Sequence, residues 1–94
     1  MARVDDIISR WGKQKASLRC SEVVDDLASL GFVVKDSKTP GHKTFSHPQL
    51  RDFFGAGFNC GHGRNPEIKS SYINNILRVL RQRQDELRDI EQSK

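Results

Sequence analysis

No stretch of this 94-residue chain approaches the roughly 18 consecutive apolar residues that a membrane-spanning helix requires. The N-terminal MARVDD lacks the charged-then-apolar order of a secretory signal, so the chain reads as cytoplasmic. Cysteine is scarce: Cys20 and Cys60 stand forty residues apart, with neither the paired spacing of a zinc ribbon nor the density of a secreted disulfide scaffold. Reduced thiols are therefore expected. Internal repeats, low-complexity tracts and linker-like segments are absent, which leaves one domain. A domain this short buries only about two-thirds of the surface its unfolded chain exposes, which disfavours a large internal pocket. Any chemistry belongs on an open face or in a shallow groove, with a partner or a polymer supplying the enclosure.

Charge is present, and it is unevenly placed. The formal charge is +4. Between Lys38 and Arg83 eight basic residues face only Asp52 and Glu67, while the remainder of the chain is slightly acidic. A basic middle suits a phosphate backbone, because each neutralised phosphate releases counterions. A solvated, solubilising surface has the same composition.

Hydrophobic spacing divides the chain into elements. Val4, Ile7, Ile8 and Trp11 give a first amphipathic helix ending near Gly12 to Ala16. Ser21 can cap a second helix with Val23, Val24, Leu27, Ala28 and Leu30 on one face and Gly31 at its end. Strands are expected at Phe32 to Lys35, His42 to His47 and Phe58 to His62, with Pro48 stopping the second. Residues 49–57, with LRDFF and then Gly-Ala-Gly, fit either a helical turn or a loop. From Ser70 or Ser71 a long helix buries Ile73, Ile76, Leu77 and Leu80, and continues through Leu87 and Ile90 with Arg83 interrupting the stripe. Arg81 and Asp85 can pair along it, and its tail is long enough to project from the body or to meet a second chain. The order is α+β: a short three-stranded antiparallel sheet with helices on one face.

The second strand carries the most suggestive chemistry. Alternation puts His42, Thr44 and Ser46 on one face and Lys43, Phe45 and His47 on the other. Phe45 marks the core side, so His42 falls on the open face and His47 at the strand end on the packed side. An exposed imidazole beside two hydroxyls and nearby cations can move the proton of a ribose 2′-hydroxyl, and the route needs no metal. Thr44, Ser46, Arg64, Lys69, Arg78 and Arg81 are candidate RNA contacts, and Lys43 joins them through its long stem. A zinc set from Cys60 and His62, completed by His42 or His47, matches none of the closed structural spacings, and Cys60 reads equally well as a small buried residue.

Three ordered blocks resemble the HicA-type toxins, small ribonucleases of toxin–antitoxin pairs. SEVVDDLASLGF, starting at Ser21, is similar to that family's first helix and Gly-aromatic junction; GHKTFSHP is similar to its His-bearing strand ending in His-Pro; CGHGRNPEI followed by IKSSYINNILRVL resembles its third strand and last helix. The resemblance covers residues 21–81 as the core, with 1–20 an N-terminal helical extension and 82–94 an extension of the last helix. It implies a double-stranded-RNA-binding-domain-like fold of core order α-β-β-β-α, His42 as the catalytic residue, mRNA as the target cleaved without a cofactor, and a HicB-like antitoxin that covers the active face. The chain departs from the pattern at Pro40-Gly41 before His42 and in the longer 49–57 connection. The residues themselves also fit a non-catalytic RNA-binding module, or a protein-interaction domain that homodimerises through its terminal helices.

Overall fold

The computed structural model describes residues 3–14, 18–39, 41–50, 52–53, 55–60 and 66–92. Four helices and three strands follow in the order α1 (Arg3–Gln14), α2 (Cys20–Ser29), β1 (Val33–Asp36), β2 (His42–Ser46), β3 (Ala56–Asn59), α3 (Ser70–Gln82) and α4 (Gln84–Gln92). The strands form one antiparallel sheet with β2 in the centre. No described helix is long and apolar enough to cross a membrane.

Helix α1 forms where the 3.6-residue spacing placed it, and Val4, Ile7 and Trp11 are buried. Trp11 brings an indole N–H into the core, and that donor is satisfied by the Asp26 carboxylate of α2 at 2.7 Å. Asp26 also pairs with Arg10 at 2.9 Å, so one carboxylate ties the first two helices together. Helix α2 begins one residue ahead of Ser21, which lies inside the helix and does not cap it. The Glu22 carboxylate reaches back to the Arg19 N–H at 3.3 Å, the half of a capping box that an arginine at the cap position leaves available. At the other end, the N–H groups of Gly31 and Phe32 bond to the carbonyls of Ala28 and Leu27, and Phe32 packs in the core with Leu27. This closure needs a left-handed residue at Gly31, whose φ is +94°.

Strand β3 starts two residues earlier than the sequence spacing suggests, because Ala56 and Gly57 pair with Phe45 and Thr44. Described residues of the 49–57 connection are anchored to the core and to Arg83 at the end of α3. Leu50 is buried, and the half-buried Phe53 ring stands edge-on to Phe32 at 6.0 Å. Asp52 adopts a positive φ of 61°, and its carbonyl accepts from the Arg83 guanidinium at 3.3 Å.

Arg83 also accounts for the break in what the sequence presents as one extended C-terminal helix. It sits between α3 and α4 outside helical geometry (φ −107°, ψ 13°), with its side chain drawn to Asp52 and Glu86. Beyond the bend α4 lies against α1 instead of projecting. Asp5 of α1 receives the Arg88 guanidinium at 2.9 and 3.1 Å together with the Gln84 amide, and Glu91 accepts the Arg3 N–H at 2.9 Å. Leu87 is buried in the same seam, so the apolar stripes of both terminal helices are spent within the chain. The expected Arg81–Asp85 pair does not form; Asp85 pairs with Arg88.

The apolar residues of all four helices join Phe32, Phe45 and Phe58 in one hydrophobic cluster. Cys20 and Cys60 are disulfide-bonded, with Cα atoms 5.4 Å apart, which corrects the expectation of reduced thiols. Sequence separation hid the pair: the fold brings the start of α2 against the end of β3. The Cys20 N–H bonds to the Pro66 carbonyl and the Ile68 N–H to the Leu18 carbonyl, so the 18–20 and 66–68 segments also pair beside the bridge.

Candidate functional site

Cross-strand register defines two faces of the sheet. Residues directly opposite one another share a face, so Val34, Phe45 and Ala56 form one row of the packed side, with Asp36, Lys43 and Phe58 as the next. The other side holds Val33 opposite Ser46, Thr44 between its neighbours Lys35 and Gly57, and His42 opposite Asn59. Phe45 and Phe58 are buried, while Val33, Lys35, Thr44, Ser46 and Gly57 are exposed.

His42 opens β2 on this exposed side and is half-buried. Its main chain is held by its N–H to Thr39 (3.1 Å) and by its carbonyl, which accepts from Ser37 (3.0 Å). The preceding Gly41 has φ +80°, a left-handed conformation that explains why glycine, not serine, enters the strand here. Its carbonyl accepts the Cys60 N–H at 2.7 Å, tying the lead-in of His42 to the disulfide end of β3. The Nε2–Cε1 edge of the imidazole lies close to Gly57 of the neighbouring strand. A Cβ built on Gly57 would stand 2.8 Å from Nε2 and 2.9 Å from Cε1 of His42. Glycine at 57 is therefore the floor on which the ring rests.

The second histidine does something different. His47 is buried on the Phe45 side, as alternation requires. The Gln49 N–H donates to Nδ1 at 3.1 Å, which leaves Nε2 as the protonated nitrogen, donating to the Leu30 carbonyl at 2.9 Å. The ring stands edge-on to Phe32 at 4.9 Å. A Cβ on Gly31 would meet Nε2 at 2.8 Å, so the glycine that ends α2 also makes room for this ring. Both nitrogens are consumed, and His47 locks the end of β2 to the α2–β1 junction.

The remaining candidates divide by location. Thr44 and Ser46 share the face of His42 and line a shallow hollow with Gly55 and Ala56. Lys43 lies on the packed side and is ion-paired with Asp36, its directly opposite neighbour, so the sheet does not bring it to His42. Lys69 precedes α3 and Arg78 lies midway along it; both are exposed and neither is on the sheet. Arg64 lies outside the described residues, as does His62. Lys35, Gly57 and Asn59 were not apparent from the sequence as parts of this face. The signal for Lys35 was its parity in β1, usable only once the register with Thr44 was known. Among the described residues Lys35 carries no ion pair, and the register sets it opposite Thr44 on the face of His42. The Cys20 bridge removes the Cys60 thiolate from any zinc set, and no group of three potential metal ligands occurs among the described residues. Compared with known proteins, the chain matches no family model, no curated protein and no solved structure.

Proposed function

We propose that this chain is a HicA-type toxin, a metal-independent endoribonuclease that cuts mRNA at the open sheet face with His42 as its proton-transfer group, on a double-stranded-RNA-binding-domain-like fold. The support is the setting of His42: an imidazole seated on Gly57, open to solvent, with Lys35 and the hydroxyls of Thr44 and Ser46 on the same face. RNA brings its own nucleophile to such a site. The imidazole takes the proton of a 2′-hydroxyl, the O2′–P bond forms, and the P–O5′ bond breaks to leave a 2′,3′-cyclic phosphate and a 5′-hydroxyl. The leaving 5′ oxygen takes its proton from the imidazolium or from water. Lys35 is placed to offset the charge that builds on the non-bridging oxygens, an electrostatic contribution independent of any cofactor. The partner in this reading is a HicB-like antitoxin in the cytoplasm that covers the same face, where Val33, 42% exposed, offers an apolar anchor beside the polar site.

The test is cleavage of a defined RNA by purified wild type and His42→Ala, with end-group analysis. General acid–base catalysis contributes about 10² to 10⁴ in rate, so the variant should lose that much while keeping its circular dichroism spectrum. Equal cleavage by the two proteins, or no 5′-hydroxyl ends from wild type, would overturn the proposal.

A further inference from the structure

The arginines of the described structure fall into two groups. Arg3, Arg10, Arg19, Arg83 and Arg88 each hold a carbonyl or a carboxylate. Arg78 and Arg81 hold neither among the described residues. They stand three residues apart on α3, hence on neighbouring turns of one side, and with Asn74, Leu77 and Gln82 they line an open hollow. The span from Ile68 to Gln84 contains no Asp or Glu, so nothing on this helix neutralises them. Leu77 itself is buried, which leaves guanidinium and amide groups as the accessible lining.

From this we infer that the Asn74–Arg78–Arg81–Gln82 side of α3 is a phosphodiester-binding surface, a second RNA contact remote from the catalytic face. The inference rests on RNA being the substrate and adds where its backbone is held. The chemistry favours a nucleic acid over a protein partner. Guanidinium forks and amide N–H donors without an aromatic or aliphatic anchor match the composition of phosphate contacts, whereas a protein interface requires an apolar centre. The hollow also lies on α3, while His42 and Thr44 lie on the sheet face turned away from Phe45 and Phe58. A strand cut at His42 and held at α3 must pass around the sheet edge, so the second contact acts on binding and leaves the chemical step unchanged.

Binding is measured on the full chain with a short 2′-O-methyl RNA, which lacks the nucleophile and stays intact, across a range of salt concentrations. Replacing Arg78→Gln and Arg81→Gln together removes two phosphate contacts. The salt slope, log K against log salt, should fall by about 1.4, with affinity weakened roughly tenfold or more at 0.1 M salt. The double Arg→Lys variant should recover most of both, since lysine keeps the point charge. With cleavable RNA the Gln pair should raise KM and leave kcat within about twofold of wild type. An unchanged slope and affinity in the Gln pair overturns the inference, even where wild type cleaves RNA and the nuclease reading stands. Conversely, a reduced slope in a protein that never cleaves upholds the surface and refutes only the nuclease. If polyglutamate binds wild type and loses binding in the Gln pair while RNA binding is unaffected, the surface is for an acidic protein and the inference is wrong.

Discussion

Gly57→Ala isolates the position of the His42 ring from its presence. The added methyl would sit 2.8 Å from Nε2 and 3.3 Å from the Lys43 carbonyl. The carbonyl contact is tight but close to tolerable; the ring contact is not, because carbon and nitrogen do not pack closer than ordinary van der Waals distance. The imidazole therefore has to move by more than half an ångström, swinging off the strand towards solvent. Gly57 lies in a regular strand and not in the left-handed region, so alanine fits its backbone, and the loss of unfolded-state freedom contributes about 0.4 to 1 kcal/mol of stability. The fold should be retained or slightly strengthened. Catalysis should suffer, since misplacement of about 1 Å costs on the order of 10²-fold where a group is positioned for proton transfer. We expect kcat for RNA cleavage to fall by about 10- to 100-fold, short of the His42→Ala loss, with a thermal midpoint at or above that of wild type. Single-turnover cleavage and thermal unfolding on the same preparations provide the two readings. Wild-type kcat in Gly57→Ala, beside an inactive His42→Ala, would refute the claim that the glycine seats the catalytic ring.

Three further outcomes follow from the same structure. Reducing the Cys20–Cys60 bridge should lower the unfolding free energy by about 4 kcal/mol, the chain-entropy value for a closed loop of 40 residues, read as a shift in urea midpoint with and without reductant; a coincident midpoint would contradict it. His47→Leu leaves the Leu30 carbonyl and the Gln49 N–H without their buried partner, and should destabilise by about 2 to 4 kcal/mol while leaving kcat of the folded fraction unchanged, as checked by denaturation and active-site-normalised rates. Hydrogen bonds from Arg88 and then Gln84 hold the Asp5 carboxyl below the ordinary aspartate range. A depressed folded-state value means the contribution is complete above the unfolded value of about 3.9 and is lost as pH falls through the folded one. Asp5→Asn should therefore be less stable than wild type near neutrality by an amount that shrinks below about pH 4, and a difference independent of pH down to acid would show that the carboxylate charge is not involved.

Much of this was legible in sequence because local periodicity and burial agree. Val4, Ile7 and Trp11 recur at helical spacing and are buried on α1; Phe45 and His47 alternate with His42 and Thr44 and separate across the sheet. What stayed hidden depends on partners distant in the chain. The bend at Arg83 follows from a carbonyl at Asp52, thirty-one residues away, and the docking of α4 from a carboxylate at Asp5. The disulfide could not be read because two cysteines with no motif spacing carry no information about which chain segments meet. Gly57 belongs to the 49–57 stretch whose sequence fits a helical turn or a loop; its place in β3 has a steric reason, the neighbouring histidine ring, that only the register reveals.

The two histidines of PGHKTFSHP are also linked through that register. A strand slipped by one residue turns every side chain to the other face, which here would bury His42 and expose Phe45 and His47. Burial of Phe45 resists the slip, but a five-residue strand with one buried aromatic is weakly specified. The fixed points lie at its ends. At one end His47 accepts from Gln49 and donates to Leu30, a pair of bonds that a shifted ring could not make. At the other, the Gly41 carbonyl receives the Cys60 N–H beside the bridge to α2. His47 thus has no part in proton transfer, and it reinforces, beside Phe45 and the Gly41–Cys60 bond, the register that presents His42.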